Sequence, residues 1–343
     1  MRYPEAYDLA CVIHLHSLYS DGTGSVSEIV RAAAASGVDV VMLTDHDTLE
    51  ARKRGEDGLR DGVLLIVGEE VSPRGGNHYL AFGLDEVIDW RGKSTAEVCD
   101  EVRAMGGMGF AAHPFSKGSR RFRRPGMPFE GLDSSDGIEL WSFVTDTAER
   151  LASLRAVARF IATPHRAVDH PPPENLAAWD RLCAGRRVPA IGGLDAHQVG
   201  KRIAGRVPLR LMSYRRSFRH LRTHVLCDEV SEPAVLGALR EGRCYLAMDS
   251  LAPAKGFRFH AEGPAGLVPM GGETAAGQHD LHVSAPRPAQ LRLLRDGAEV
   301  TRVDAPVLAH RVREAGAYRV EARLDAHGAE RTWILSNPIY LRA

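Results

Sequence analysis

In Cys11-Val-Ile-His-Leu-His16 an apolar run is closed by two histidines spaced two residues apart. Side chains alternate along an extended strand, so the imidazoles of His14 and His16 point to one face. The same arrangement, an apolar run followed at once by a metal-ligand type, recurs in Val40-Val-Met-Leu-Thr-Asp-His46, Val63-Leu-Leu-Ile-Val-Gly-Glu-Glu70, Gly109-Phe-Ala-Ala-His113 and Pro189-Ala-Ile-Gly-Gly-Leu-Asp-Ala-His197. Helical patterns lie between these runs. Ser25-Val-Ser-Glu-Ile-Val-Arg-Ala-Ala-Ala-Ala35 has Ser25 at the N-cap, Glu28 in capping-box position and Gly37 just past its end. Strands alternating with helices predict an α/β fold on a parallel sheet. In closed parallel barrels functional groups collect at the carboxyl ends of the strands, where these histidines and carboxylates lie.

The candidate metal ligands are His14, His16, Asp21, His46, Glu70, His78, His113, Asp195 and His197. Imidazole and carboxylate together suit Zn, Mn or Fe better than Ca or Mg. The absence of a thiolate argues against a cysteine-rich structural zinc site. Glu69 and Glu70 occupy opposite faces of an extended chain, so one of them points into the site. Asp45 and Asp47 flank His46 and read as carboxylates that orient an imidazole from behind. His165, His170, His220 and His224 read as surface or capping histidines.

The motifs His14-Leu-His16, Asp21, Thr44-Asp-His-Asp47, Gly68-Glu-Glu-Val-Ser72, His113-Pro and Asp195-Ala-His197 resemble the PHP family, named for its polymerase and histidinol phosphatase members. The resemblance covers roughly residues 8 to 250. More loosely, His78-Tyr-Leu-Ala-Phe-Gly-Leu84, Gly137-Ile-Glu-Leu-Trp141 and Thr223-His-Val-Leu226 resemble that family's carbaryl-hydrolase-like metallohydrolase branch. The resemblance implies a distorted (β/α)7 TIM-like barrel holding two or three divalent metals. It places His14, His16, Glu70 and Asp195 around one pair of metals and makes Glu70, at the family position before Val71-Ser72, the bridging carboxylate. Asp21 and His46 would then serve the second metal, His78 and His113 a third or shared position, and His197 would complete the shell.

Closely spaced divalent metals lower the pKa of a bound water and neutralise charge on an anionic group in transfer. The expected activity is therefore metal-dependent hydrolysis, and the resemblance implies as foremost substrate a small phosphate ester attacked by a metal-bridged hydroxide, with Glu70, Asp195 and His197 as catalytic residues. One alternative is hydrolysis of a carboxylic or carbamate ester or an amide, and a second is a non-catalytic metal-binding module. No Gly-x-Ser-x-Gly elbow, Cys-His pairing, phosphate-binding Gly-x-x-x-x-Gly-Lys-Ser/Thr loop or Rossmann fingerprint supports other chemistry. Arg74, Lys117 and Arg120 are the basic side chains expected to hold a phosphate. The plainer alternative for the cluster from Lys117 to Arg124 is an exposed basic loop.

The 343 residues balance 44 basic against 44 acidic side chains, which excludes a general nucleic-acid coat and leaves a nucleotide or oligonucleotide only as substrate. The arginine-rich stretch from Arg186 to Arg222 reads first as a solvated surface. The chain is long enough for a barrel over 1–250 and a second unit over 251–343, where period-two strands and the Asp296-Gly297 hairpin signal predict a small antiparallel, immunoglobulin-like β-sandwich. Trp333 and Tyr318 are expected in its core. Five cysteines without a close pair, an amino terminus without an apolar signal core and no membrane-spanning run lead to the expectation of a cytoplasmic protein.

Overall fold

The computed structural model describes the chain apart from residues 1–5, 74–77, 122–124, 152, 163–169, 199, 204–206, 211 and 327. Its organising element is a large mixed sheet. The first strand β1 (Tyr7–Ile13) is followed by helix α1 (Val26–Ala34), and then by β2 (Val40–His46) and β3 (Val63–Val71). These three strands run parallel to one another. Strand β4 (His78–Phe82) comes next, then helix α2 (Thr95–Ala104), strands β5 (Met108–Ala112) and β6 (Gly137–Ser142), helices α3 (Phe143–Arg150) and α4 (Pro173–Gly185), and strand β7 (Ala190–Gly193).

The alternation predicts a parallel sheet, and the structure shows a mixed one. Strand β4 is antiparallel to both β3 and β5. The reason is chain length. A parallel return needs a crossover of about a dozen residues or more, and only Ser72 to Asn77 separates β3 from β4.

Parallel pairing resumes from β5 through β6 to β7. Past the end of β7 the chain returns to β1: Leu15 and Ala196 form a parallel bridge, and the Leu194 amide donates to the Ile13 carbonyl at 2.9 Å. The same edge of β1, opposite β2, pairs antiparallel with β8 (Leu221–Cys227) nearer the start of the strand.

The local signals are realised as drawn. Ser25 caps α1, its hydroxyl accepting from the Glu28 amide while the Glu28 side chain accepts from the Ser25 amide, and Gly37 takes a φ of 66° beyond the helix end. Helix α1 buries Val26, Ile29, Val30 and Ala33, a spacing that gives one apolar stripe against the sheet. Helix α5 (Glu232–Glu241) ends on left-handed Gly242 and leads into β9 (Cys244–Met248).

The C-terminal strands are β10 (Arg258–Gly263), β11 (His279–Arg295), β12 (Ala298–Val312), β13 (Gly316–Ala326), β14 (Ala329–Ser336) and β15 (Ile339–Arg342). Their mutual pairings are antiparallel. The turn at Asp296-Gly297 has positive φ at both residues, 50° and 82°, as a two-residue hairpin requires. Strand β9 pairs with β14, so the sheet runs on between the two parts of the chain. Tyr245 and Ala247 of β9 pack in the same core as Phe259, Leu281, Tyr318 and Trp333. All five cysteines are buried and unbridged, and among the described residues no helix is long and apolar enough to cross a membrane.

Candidate metal centre

The carboxyl ends of β1, β2, β3 and β7 deliver the ligand types to one place. Glu70 lies at its middle, 1% exposed. Its Oε2 is 3.2 Å from His14 Nε2, 3.1 Å from His16 Nε2 and 3.6 Å from His46 Nδ1, and its Oε1 is 2.7 Å from His78 Nδ1 and 3.3 Å from His113 Nε2. Asp195 Oδ1 stands 3.7 Å from His14 Nε2 and 3.4 Å from His197 Nδ1. Asp21 closes the solvent side, its Oδ1 3.1 Å from His197 Nε2 and 3.6 Å from His16 Nδ1. Every candidate ligand read from the sequence is therefore in one cluster. Glu69 points away and accepts from the Ile88 amide at 2.8 Å. Burial pushes its carboxyl up to about 7.

The ring nitrogens crowd these carboxylates without being aligned on them. His14 Nε2, both nitrogens of His16, His78 Nδ1, His113 Nδ1 and Glu70 Oε1 are buried without a hydrogen-bond partner. Orphaned buried donors and acceptors are costly. Apart from His113 Nδ1, whose ring faces Glu70 through Nε2, these atoms converge on shared space, which is what metal ligands do. Ligand atoms fall within 4.8 Å of one another in three overlapping groups: His16, Asp21, His46 and His197; His14, His16 and Glu70; and His46, Glu70 and His78. The residues present fit divalent metal ions.

The electrostatics point the same way. Burial alone would lower the His14 imidazole, yet the Glu139 and Glu70 carboxylates overcome it and hold His14 well above the ordinary histidine value. Burial likewise opposes Glu70, and the surrounding imidazoles, His14 and His78 foremost, hold it well below the carboxylate range. Asp21 is lowered to about 2, its own partial burial outweighed by the hydrogen bond and charge of His197. Sites that favour a proton between carboxylates favour any cation placed there.

Three of these positions also have unusual backbone geometry. His14, His113 and Asp195 have φ of 64°, 28° and 51°, a region that non-glycine residues enter at a cost. Each lies just past the end of an apolar strand, where the chain bends to turn a ligand inward.

The carboxylate that orients an imidazole from behind is Glu139 on β6, which the sequence reading quoted only inside a looser motif. Its Oε1 meets His14 Nδ1 at 2.9 Å and its Oε2 accepts from the His113 amide at 2.6 Å. The signal available was the lone acid in the apolar strand Gly137-Ile-Glu-Leu-Trp141. Asp45 and Asp47, expected in that orienting role, bind no imidazole among the described contacts. Asp45 instead accepts from the Ser17 amide at 2.7 Å and from the Ser17 and Ser20 hydroxyls at 2.6 Å each, and Asp47 accepts from the Ser72 amide at 2.9 Å. His46 faces the cluster, so alternation along β2 turns the neighbouring Asp45 to the loop beside it, and Asp47 lies past the strand end.

A cavity of about 220 Å³ opens over the cluster, lined by ligands and by Ser116, Gly118, Ser119, Pro125, Met127, Thr145, Ala148 and Glu149. Thr145 donates its hydroxyl to Asp195. Glu149 Oε1 accepts from the Ser116 hydroxyl at 3.0 Å and from the Lys117 and Gly118 amides at 2.6 and 3.1 Å, so one carboxylate orders the rim. Of the expected phosphate-holding side chains, Lys117 and Arg120 are not on this lining. Lys117 reaches out to Glu174, and Arg120 is exposed at the surface. Arg74 lies outside the described residues. An exposed lysine finds a partner in the acid at the start of α4 more readily than it bends back over its own loop.

Parts of the chain are similar to known proteins. The chain is 43% identical over 67 residues to a 5'-3' exoribonuclease of Haemophilus influenzae, covering 19% of this chain and 23% of that protein. It is 37% identical over 83 residues to a phosphoribosyl 1,2-cyclic phosphate 1,2-diphosphodiesterase of Eggerthella lenta, covering 22% of this chain and 30% of that protein. The chain thus spans less than a third of the length of either relative. A solved two-domain protein of Bacteroides vulgatus, containing a predicted PHP-like metal-dependent phosphoesterase, overlaps 98% of both chains at 17% identity with a TM-score of 0.46. Residues 13–103 match the PHP domain, the stretch that supplies His14, His16, Asp21, His46, Glu70 and His78 to the centre.

Proposed function

We propose that the chain is a metal-dependent hydrolase of phosphate esters whose catalytic centre is the cluster around Glu70. The observation that carries this reading is a single buried carboxylate in contact with the rings of His14, His16, His46, His78 and His113 beneath an open cavity. The PHP match over residues 13–103 and the phosphodiester-cleaving activities named for two relatives support the same class. We also read the strands from β1 to β7, joined through Leu15 and Ala196, as a distorted seven-stranded barrel over 1–250, and the antiparallel strands beyond as a β-sandwich over 251–343.

In this reading the nine candidate ligands, with Glu70 at their middle, would hold two or three divalent ions, Zn, Mn or Fe. When bound, such ions supply Lewis acidity toward the ester oxygens and a water acidified to near neutrality. The protein's own part is positional. Glu139 fixes the His14 ring, presenting Nε2 to the centre. Thr145 holds Asp195, and the Asp195 carbonyl, 3.0 Å from His197 Nδ1, leaves Nε2 of that ring directed at Asp21 and the cavity. The rim amides ordered by Glu149 set the shape of the mouth against the substrate.

The carboxylic or carbamate ester reading uses the same ligands. The deciding experiment loads metal-free protein with Mn, Zn or Fe and follows p-nitrophenyl phosphate, bis-p-nitrophenyl phosphate and p-nitrophenyl acetate, with Asp195→Ala as control. Metal-dependent release from the phosphates, absent in Asp195→Ala, is the expected outcome. Turnover of the acetate alone would replace the phosphoesterase reading with the carboxylic one.

A further inference from the structure

Outside the centre, His260, Glu262 and His282 place metal-ligand atoms within 4.8 Å of one another on the C-terminal strands. The strand register makes this a built arrangement. His260 lies directly opposite His282 across the antiparallel pair β10 and β11, and Glu262 is two residues further on the same face of β10. The rings stack at 5.1 Å between centroids with 18° between their planes. His260 Nε2 is 3.5 Å from one Glu262 oxygen, and His282 Nε2 is 4.0 Å from the other. Ligands at zinc distances on a tetrahedral ion sit about 3.3 Å apart, so small side-chain rotations close this triad around one ion.

The surroundings favour a cation here. Glu262 faces Asp280 across the two strands, and like charges in that position repel. Arg311 neutralises Asp280 alone, through hydrogen bonds of 2.8 and 3.0 Å to its two oxygens, which leaves Glu262 as the available acid. Glu262 and His282 have side chains 36% and 37% exposed, so an ion can enter from solvent and keep water in its remaining position.

We propose that His260, Glu262 and His282 form a second divalent transition-metal site, of zinc or copper type, which clamps β10 to β11. It is independent of the hydrolytic reading, since none of its residues touches the Glu70 centre. The test is equilibrium dialysis of the full chain against Zn²⁺ followed by metal analysis, with His282→Ala and Glu262→Gln, both at partly exposed positions. Wild type is expected to retain one more zinc equivalent than His282→Ala, and Glu262→Gln to bind that equivalent at least tenfold more weakly. Zinc should raise the unfolding midpoint of wild type more than that of either variant, with phosphatase turnover equal in all three. Equal zinc content and equal zinc-induced shifts across the three proteins would overturn the site. The comparison holds whatever Glu70 and its neighbours bind, because that centre is intact in every variant.

Discussion

At the scale of single residues, Gly193 shows how much of the centre depends on one missing atom. A Cβ built there overlaps the Glu139 carboxylate and meets the His14 Cβ at 3.1 Å. Gly193→Ala should therefore displace Glu139, free the His14 ring and weaken metal binding by about 10–100-fold, the usual effect of losing a carboxylate behind a ligating histidine. Metal titration by competition with a chelator checks this, and unchanged affinity would show that Glu139 does not orient His14. The adjacent acids make a sharper comparison. Glu70→Gln should abolish metal-dependent hydrolysis, whereas Glu69→Gln, which keeps an acceptor for the Ile88 amide, should leave it within a few-fold of wild type. The reverse ranking in steady-state assays would move the centre to the other face of β3.

At the scale of elements, caps and loop anchors separate stability from activity. Ser25→Ala removes the acceptor at the start of α1 and should cost about 1 kcal/mol in chemical denaturation with turnover unchanged. Asp45→Ala strips the acceptor shared by Ser17 and Ser20, in the loop between His16 and Asp21. It should lower turnover well beyond its effect on the unfolding midpoint, and a parallel loss of both would make Asp45 merely structural. Strand ends were legible in the sequence because an apolar run closed by a ligand type is a local pattern; β2 was read with the bounds it has, Val40 to His46. The direction of β4 was less so, since the composition of His78–Phe82 suits either sense and only the short connection decides it. Glu139 and the rim were hidden for another reason. A lone acid in an apolar strand acquires its role only when β6 is placed beside β5 and β7, and a basic loop says nothing of which acid its lysine will find.

At the scale of the whole molecule, the two parts of the chain are tied by buried polar groups as well as by the β9–β14 pairing. The Asn337 side chain bonds both the amide and the carbonyl of Ala190 on β7, at 2.7 and 3.0 Å. Truncation after Asp249 would strip these partners from β7 and uncover Tyr245 and Ala247, so it should abolish cooperative unfolding of what remains, as followed by circular dichroism. The second tie has a pH signature. His224, 1% exposed, has Asp8 Oδ1 2.9 Å from one ring nitrogen and Asp249 Oδ2 3.2 Å from the other. Asp8 also accepts from Tyr245, from the Gly256 amide and from Arg258 of β10. Burial opposes the imidazolium, but the two aspartates overcome it and raise His224 above its ordinary value. Burial opposes the Asp8 carboxylate too, and the hydrogen bond from His224 leads the contacts that bring it down to about 2. The signs follow. A raised histidine contributes stability that is complete below its unfolded value of about 6.5 and is lost as pH rises through the higher folded value. A lowered aspartate contributes stability present above about 3.9 and lost as pH falls toward 2. The unfolding midpoint of wild type should therefore decline on the alkaline side of about pH 6.5. His224→Gln, which keeps polar atoms between the aspartates without the titrating charge, should be less stable at pH 6 and should show a shallower decline, the raised His14 contributing the remainder. A midpoint that falls with the same slope in both proteins would assign the alkaline loss to other groups and leave His224 neutral in the folded chain.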